Sequence, residues 1–392
     1  MNPKVKKGLK VTAITLGSIL GVAILTVGSY AGYVLGSYYR IEDNQVLEVN
    51  KKSAQKTVER DKELSYTSFN IGFGAYSQDY TFFLDKGVNA DGELITGHYS
   101  KGYSKEEVNK NVTGCINIMN QINSDFYAVQ EVDEDGTRSY HINQKEMIQN
   151  NFSSFDSTFA NNFHSSFLAY PLYDMHGAND AGLLTLSKYE IQSSVRKSLT
   201  ISENFDKFFD LDRCFSANYI DVDENTQLCL INIHMSAYDE GGYIRNTQVQ
   251  EINTFINEEY NKGNYVICAG DYNHDLLTYN PDYNYTKDNM PYKELYDQLV
   301  PPWISLMFDE DRTCPFKDHF KVHAANNIPS VRGVDQPYEV GHIYVNTVDG
   351  FIVSDNVEVI EDKTTPTSGT GTEDMFKWSD HQPTTLKFKL KP

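Results

Sequence analysis

The stretch "NYVICAGDYNHDL", residues 264–276, joins a buried-strand pattern to a dense group of polar side chains. The apolar, β-prone run ends at Gly270. Four polar side chains follow within five positions: Asp271, Asn273, His274 and Asp275. Glycine, aspartate and asparagine favour turns, so a plain turn explains the local sequence. The same residues also fit a functional site at the carboxyl end of a strand, and the stretch alone is consistent with both interpretations.

Other short apolar runs of the chain also lead into an acid, an amide or an imidazole. They deliver the side chains of Asn70, Glu131, His234, Asp349, Asp380 and His381. Each of these residues alone is explained by a solvated surface or a turn. In open α/β sheets, however, ligands bind outside the carboxyl ends of the strands. The accumulation of such residues at strand ends therefore predicts one shared site.

The arrangement of apolar runs predicts a single α/β domain over residues 65–392. Short strand patterns outnumber helices, and amphipathic helices over residues 108–125 and 243–263 lie between them. This order predicts sheets sandwiched between helices. Residues 277–342 lack a regular pattern and are too long for a simple connection, so we expect a functional loop or insertion there.

The N-terminal segment has the pattern of a membrane anchor. Residues 1–10 are basic, and no charged residue occurs from Val11 to Tyr39. About 20 apolar residues cross a bilayer core, and the preceding lysines favour a cytoplasmic N-terminus with the rest of the chain outside. We predict an uncleaved anchor over residues 11–36 and a polar stalk over 37–64. The alternative is a signal peptide cleaved after Ala31, which would release a secreted domain.

The chain is strongly acidic, with 54 acidic and 34 basic residues and a formal net charge of -20. Such a surface repels nucleic acid and anionic membranes unless a basic patch or bound cations intervene. It is compatible with divalent metal binding. The five cysteines include no C-x-x-C pair, which argues against a zinc site.

Several motifs in order along residues 65–390 carry a resemblance to a known family. They are "SFNIG", "FYAVQEVD", "AGLLTLSKYEI", "INIHMSAY", "CAGDYNHD", "VDGFIVS" and "SDHQP". With these motifs the chain resembles the endonuclease/exonuclease/phosphatase superfamily, which includes DNase I, abasic endonucleases, neutral sphingomyelinases and inositol polyphosphate 5-phosphatases. The resemblance implies a four-layer α/β/β/α sandwich of the DNase I type, here preceded by one transmembrane helix. It also implies metal-dependent cleavage of phosphoester bonds.

The resemblance implies a metal site made of oxygen ligands. Glu131 would be the main ligand, helped by Asn70, and Asp380 would complete the site or support a second metal. Mg²⁺ is the expected ion, because it binds to few carboxylates and keeps several waters; Mn²⁺ and Ca²⁺ are alternatives. The number of metal ions stays open.

The resemblance also implies roles for the remaining residues. Asp271 would orient or deprotonate the attacking water, and Asn273 would donate a hydrogen bond to the developing phosphorane charge. His381 would contact the phosphate or act as the base, with Asp349 holding its ring. His234 would be the general acid for the leaving oxygen. Which group is the base stays open.

Two further features bear on the substrate. Four arginines could bind a substrate phosphate or equally form structural salt bridges: Arg138, Arg213, Arg245 and Arg332. Residues 70–103 form an aromatic, glycine-rich insertion that should line the rim of a pocket, and this departs from the abasic endonucleases.

Taken together, these patterns predict an exported, membrane-anchored, Mg²⁺-dependent phosphoesterase. Its catalytic domain would lie outside the cell and hydrolyse phosphodiesters of nucleic acid, phospholipid or a small molecule. One alternative is a catalytically silent surface-binding protein on the same fold, and another is a phosphomonoesterase acting on inositol-phosphate-like substrates. No obligate protein partner is evident from the sequence.

Overall fold

The computed structural model of the protein describes residues 2–88, 93–208, 210–237, 243–277, 316, 318–340, 343–367 and 374–392. Its helices are α1 (Pro3–Ser37), α2 (Lys105–Ile122), α3 (Gln144–Asn151) and α4 (Tyr243–Asn261). The first strands are β1 (Gln45–Val46), β2 (Val49–Asn50), β3 (Leu64–Asn70), β4 (Lys86–Val88), β5 (Leu94–Thr96), β6 (Phe126–Gly136), β7 (Asp156–Leu168), β8 (Gly177–Ser187) and β9 (Ser193–Ser198). The later strands are β10 (Cys214–Asp221), β11 (Gln227–His234), β12 (Tyr265–Asp271), β13 (Phe320–His323), β14 (Val331–Arg332), β15 (Val345–Asn346), β16 (Asp349–Ser354), β17 (Val357–Thr364) and β18 (Thr384–Leu390).

Two large mixed sheets form the centre of the domain. Within the described residues, the first sheet has the order β1-β9-β10-β11-β12-β16-β13 and the second the order β17-β18-β3-β6-β8-β7-β2. One hydrophobic cluster fills the space between the sheets, with residues such as Leu64, Leu230 and Leu386. Further clusters join the outer faces to α4 on one side and to α2 and α3 on the other. This is the four-layer α/β/β/α sandwich that the sequence predicts.

The opening stretch of sequence becomes a strand that is buried on both faces. All seven residues of β12 are buried, and alternate side chains point to opposite sides, as the pleat requires. Val266 and Cys268 pack in the cluster under α4. Ile267 and Ala269 pack between the two sheets. A central strand buried on both faces explains why this run is almost continuously apolar.

A bridge of buried polar side chains crosses between the two sheets. The Nε2 group of Gln130 on β6 donates to Oδ1 of Asn232 on β11 at 2.8 Å, and Nδ2 of Asn232 donates to the carbonyl of Leu184 at 3.2 Å. The hydroxyl of Tyr66 on β3 donates to the carbonyl of Ile231 at 3.0 Å. Because buried polar groups need defined partners, these bonds set the register of one sheet against the other.

The prediction of a stalk over residues 37–64 is wrong for most of the segment, because residues 45–64 belong to the sandwich. Strand β1 pairs with β9 at the edge of the first sheet, and β2 pairs with β7 at the edge of the second. Val58 is buried and its N–H donates to the carbonyl of Asp221 at 2.9 Å. The polar composition of the segment reflects edge strands, which have one face in solvent.

The long region 277–342, expected to form a functional loop or insertion, contains regular structure in its described part. Within its described part, β13 extends the first sheet by pairing with β16. Val331 of β14 forms an isolated bridge with His381, and the N–H of Arg332 donates to the carbonyl of Asp380 at 3.0 Å. Residues 331 and 332 therefore hold the backbone of the C-terminal "SDH" motif in place. Residues 278–315 lie outside the described part.

The N-terminal apolar segment forms one continuous helix. Helix α1 contains an 18-residue window of mean hydropathy 2.1 that is not buried by the rest of the protein. It is long and apolar enough to cross a membrane. Residues 3–10, expected as a separate basic segment, continue the same helix.

The polar bridge between the sheets gives a stability test. We expect Gln130→Leu and Asn232→Leu each to lower the free energy of unfolding by about 1–3 kcal/mol, because each leaves a buried polar group without its partner. The double variant should recover part of this loss, since both polar groups are then gone. Urea unfolding of the full chain in mild detergent measures the effect, with exposed Gln121→Leu as the control. Strictly additive losses would contradict the bridge.

Candidate active site

The side chains at the strand ends converge on one carboxylate oxygen, Oδ2 of Asp271. Nδ2 of Asn70 donates to this oxygen at 3.0 Å. Nε2 of His234 lies 3.4 Å from it, and Nε2 of His381 lies 3.5 Å from it. These residues come from both sheets, so the site forms where the sheets meet.

Strand pairing explains how these side chains reach the same place. Strands β11 and β12 are parallel, with His234 opposite Asp271, and β16 is antiparallel to β12, with Asp349 opposite Asp271. The strands approach closely at Gly270, where a Cβ atom would lie only 2.0 Å from the carbonyl oxygen of Ile233. Glycine at this position therefore allows the close pairing that sets the two strand ends side by side.

The C-terminal "SDH" motif supplies a second histidine, His381, whose ring is held by a hydrogen bond to Asp349. Nδ1 of His381 donates to Oδ2 of Asp349 at 2.8 Å, as expected from the sequence. The hydroxyl of Ser379 accepts from the His381 N–H at 3.1 Å and donates to the carbonyl of Asn70 at 2.8 Å. Burial opposes the charged ring, but the carboxylates of Asp349, Asp271 and Asp380 raise the pKa of His381 well above its usual value. His381 is therefore the charged histidine of the site.

Glu131 is held in an unusual backbone conformation. It has a φ of 54°, in the left-handed region that residues with a side chain rarely adopt. The register between β6 and β8 shifts at this point, between Val129 and Val132, which marks a β-bulge. Bulges redirect side chains at functional sites, and strain of this kind is stored where the surrounding structure imposes it. The bulge brings Oε1 of Glu131 within 3.2 Å of Nδ2 of Asn70.

Asn70, predicted as a metal ligand, forms hydrogen bonds with two of the carboxylates. Its Nδ2 group donates to both Glu131 and Asp271, and its Oδ1 accepts from the N–H of Gly72 at 2.9 Å. The amide oxygen thus faces the backbone and not the carboxylates. This arrangement favours a positioning role for Asn70, and its role as a metal ligand stays a prediction.

Burial outweighs the nearby positive charges in its effect on the pKa values of the clustered carboxylates. Burial raises the pKa of Asp380 to about 7, with Glu131 adding to the effect. Burial also raises the pKa of Asp271 to about 6, with Asp349 adding to it, and burial raises the pKa of Glu131. Clustered carboxylates of this kind favour a bound cation, because it would offset the cost of their ionisation.

Two sets of residues could hold that cation. Glu131 and Asp380 both line the pocket and offer hard oxygen atoms of the type that Mg²⁺ prefers. The ligand atoms of Asp271, Asp349 and His381 also lie within 4.8 Å of one another. In this second set, however, both ring nitrogens of His381 already face carboxylates. The Glu131–Asp380 pair is therefore the better candidate.

His234 differs from the predicted general acid. Burial lowers its pKa well below the usual value, and the positive charges of Arg213 and His381 lower it further. A neutral imidazole at pH 7 has little proton to give but can still donate a hydrogen bond through Nε2. Asn273 also lines the pocket, where its Nδ2 group donates to the carbonyl of Met235 at 2.9 Å. A second N–H on the same nitrogen is available for hydrogen bonding.

Three of the four candidate arginines line the pocket, and each has a structural partner. Arg138 forms an ion pair with Asp133, with Nη2 2.7 Å from Oδ1. Arg213 pairs with Asp210 at 2.8 Å, and Arg332 donates through Nη2 to the carbonyl of Ser77 at 2.9 Å. The three arginines therefore bring positive charge to the pocket, and their protein partners hold the guanidinium groups in place.

Arg245 and His274 lie away from the pocket. Both are buried, and neither is among the residues that line it. Burial and the charge of Arg245 lower the pKa of His274 to about 3, and its Nδ1 contacts the carbonyl of Tyr272. The prediction that Arg245 binds substrate is therefore not supported, and His274 is a neutral core histidine.

The pocket above Asp271 has a volume of about 400 Å³ and an aromatic wall. The insertion at residues 70–103 supplies much of this wall, as predicted: Phe73, Tyr76, Phe82 and Phe83. Tyr170, His176 and Asp210 also line the pocket, and none of the three is among the candidate residues predicted from the sequence. They follow no strand-end motif, so only the folded chain reveals their position.

A comparison with protein families agrees with this geometry. The model of the Endonuclease/Exonuclease/phosphatase family matches residues 67–381. The chain belongs to this family. The matched region begins in β3 and ends at His381, so it contains every residue that converges on Asp271. Both nucleases and phosphatases cleave phosphoester bonds, which is the chemistry that the family name covers.

The chain is similar to several solved structures. A truncated TDP2 from Caenorhabditis elegans is 14% identical, with a TM-score of 0.50 over 84% of this chain and 99% of that one. ANGEL2, described as a 2',3'-cyclic phosphatase, is 14% identical, with a TM-score of 0.49 over 91% and 100% of the two chains. An endonuclease/exonuclease/phosphatase from Beutenbergia cavernae is 12% identical, with a TM-score of 0.48 over 84% and 72%. Comparison with curated proteins finds no significant match.

His176 in the pocket wall gives a pH test. Burial, with a smaller effect of Arg138, lowers its pKa from 6.5 to about 3, so the native ring stays neutral while the unfolded ring gains a proton below pH 6.5. Its contribution to stability therefore falls as the pH drops from 6.5 towards 3. Between pH 7.5 and 5, the wild type should lose about 2 kcal/mol more than His176→Asn, which does not titrate.

Urea unfolding at the two pH values measures this difference. Asparagine at position 176 can still donate to the carbonyl of Ser100, which lies 2.8 Å from Nδ1 of the histidine. Equal losses in the two proteins would contradict a buried, neutral His176.

Proposed function

We propose that this protein is an exported phosphoesterase, anchored by α1, that uses a divalent metal ion to hydrolyse phosphodiester bonds. The observation that carries the proposal is the convergence of Asn70, His234 and His381 on Oδ2 of Asp271 at the base of a pocket. Family membership supports phosphoester chemistry, and the three arginines and the charged His381 that line the pocket suit an anionic substrate.

Hydrolysis requires an acceptor for the proton of water, positive charge at the phosphoryl oxygens and a hydrogen-bond donor to the leaving oxygen. The pKa of Asp271, about 6, suits it as the proton acceptor near neutral pH. His381, charged and held by Asp349, supplies positive charge. Neutral His234 donates through Nε2 to the leaving oxygen, and this donor favours phosphodiesters over phosphomonoesters.

Glu131 and Asp380 would hold the metal ion, with Asn70 keeping Glu131 in position. When bound, a divalent ion supplies Lewis acidity that neutralises charge on a phosphoryl oxygen. We propose Mg²⁺, with Mn²⁺ or Ca²⁺ as alternatives, because the available ligands are carboxylate oxygens.

Anchoring and export are supported by the sequence of α1 and of the residues around it. Basic residues precede the apolar span and none interrupts it, which favours a cytoplasmic N-terminus and an external domain. Cleavage after Ala31 would release the domain, and fractionation of cells into membrane and medium separates the two outcomes.

Substitutions at the centre of the site should abolish turnover. In the full chain with Mg²⁺, we expect His381→Gln and Asp271→Asn each to lower kcat by about 10²–10⁴-fold, because each removes a group that moves or neutralises charge. The assay uses a panel of DNA, RNA, sphingomyelin and inositol phosphates.

Matched controls are His141→Gln and Asp135→Asn. His141 and Asp135 form an ion pair at the surface, with side chains 65% and 64% exposed. These variants should keep wild-type activity. Full activity of His381→Gln would place the site elsewhere, activity on phosphomonoesters alone would favour the inositol-phosphate alternative, and no activity of the wild type would favour a binding protein.

Metal binding can be measured without turnover. In calorimetric titrations with Mg²⁺, Mn²⁺ and Ca²⁺, we expect Glu131→Gln to remove the binding heat. Asn70→Ala should weaken binding by about 10–100-fold, because a residue that orients a ligand is lost. Glu134→Gln, on the same strand but paired with Lys145 at the surface, is the control. Unchanged affinity in Glu131→Gln would contradict the ligand assignment.

A further inference from the structure

The C-terminal part of α1 contacts the chain that leaves β7. We call residues 167–175, the end of β7 and the chain that follows it, the aromatic loop. The hydroxyl of Tyr30 donates to the carbonyl of Phe167 at 3.1 Å and accepts from the N–H of Ala169 at 2.7 Å. The N–H of Phe167 also donates to the hydroxyl of Tyr33 at 3.1 Å. These three hydrogen bonds join the loop to a single turn of α1, at Tyr30 and Tyr33.

The length of the apolar part of α1 places the turn with Tyr30 and Tyr33 at a membrane surface. Lys10 is the last charged residue before the apolar span. From Val11 to Ser29 an α-helix rises about 29 Å, close to the thickness of a hydrocarbon core. Tyr30 and Tyr33 then lie at the outer interface, where tyrosine is enriched. The aromatic loop, bonded to both, lies at the same height.

The aromatic loop exposes an unusual amount of apolar surface. Leu172 is 77% exposed, Tyr173 66% and Tyr170 57%, and Phe167 is also exposed. Its one acid, Asp174, forms an ion pair with Lys101 at 3.0 Å. In the described chain beyond residue 44, the other exposed large hydrophobic residues are single residues on separate elements: Val46, Leu94, Tyr243 and Ile360. A clustered apolar patch with its charge neutralised is typical of an interaction surface.

The same loop reaches the pocket. Tyr170 lines the pocket, and its ring contacts that of Phe83 with centroids 5.8 Å apart. Phe83 lines the pocket as well. The wall of the pocket is therefore continuous with the exposed loop, and the loop in turn contacts α1.

We propose that the aromatic loop docks on the outer leaflet of the membrane and that the pocket takes its phosphodiester from a lipid of that leaflet. The inference rests on the proposed function and on α1 spanning the bilayer. Residues 41–392 carry 54 acidic and 29 basic side chains, which repel nucleic acid. A zwitterionic lipid headgroup is not repelled in this way, and the loop would keep it beside the pocket.

Docking can be measured independently of activity. The full chain is reconstituted in phosphatidylcholine vesicles, with or without lipids brominated in the acyl chains. We expect the fluorescence of Leu172→Trp to be quenched beyond the wild-type background. Ile360→Trp is the matched control, since Ile360 is exposed on the edge strand β17, which four strands separate from β7. Equal quenching of Ile360→Trp and Leu172→Trp, or none, would overturn docking.

The lipid source of the substrate is tested by turnover. In vesicles that contain sphingomyelin and phosphatidylcholine, Leu172→Asp should hydrolyse lipid at least about tenfold more slowly, because interfacial binding scales with buried apolar area. Hydrolysis of soluble bis(4-nitrophenyl) phosphate should be unchanged, since Leu172 does not line the pocket. Ile360→Asp should match the wild type on both substrates.

The possible failures are distinguishable. Hydrolysis of DNA or RNA without hydrolysis of any lipid would overturn the lipid substrate and leave the proposed function standing. An unchanged lipid rate in Leu172→Asp would overturn the role of the loop. No hydrolysis of any phosphoester, including the soluble one, would overturn the proposed function and the lipid substrate together, while the quenching experiment would still decide docking.

Discussion

One carboxylate oxygen, Oδ2 of Asp271, is the point on which the site depends. A buried carboxylate is costly to ionise, and here Asn70 donates to it while His234 and His381 lie within 3.5 Å of it. Asn70 comes from the second sheet and Asp271 from the first. The distance between the sheets, bridged by Gln130 and Asn232, therefore determines whether the site forms at all.

Burial and neighbouring charges give the residues of the site different electrostatic roles. Glu131 and Asp380 form an acidic corner suited to a cation, whereas the Asp349–His381 pair carries positive charge towards the pocket. His234 stays neutral because it is buried beside Arg213. Two histidines at similar distances from one carboxylate thus differ in charge, and their roles follow from burial and neighbours more than from residue type.

The sequence predicted most of the site because its residues follow recognisable strands in a recognisable order. Glu131, Asp271 and His381 were found in this way, and the structure brings them together. Asn70 was found in the same way, but the direction of its amide depends on partners distant in sequence and could not be predicted. The stalk was misjudged for a related reason: β1 and β2 are short edge strands whose pairing partners lie more than 100 residues away.

By itself, the sequence determined the alternation that makes β12 a doubly buried strand, the polar residues at the strand ends and the apolar length of α1. These are local properties, and periodicity and composition express them directly. Only the tertiary structure decided which histidine carries charge, which arginines face the pocket and how the bulge at Glu131 turns its side chain. It also brought the aromatic loop to the outer part of α1. Each of these depends on contacts between distant parts of the chain, which no local pattern records.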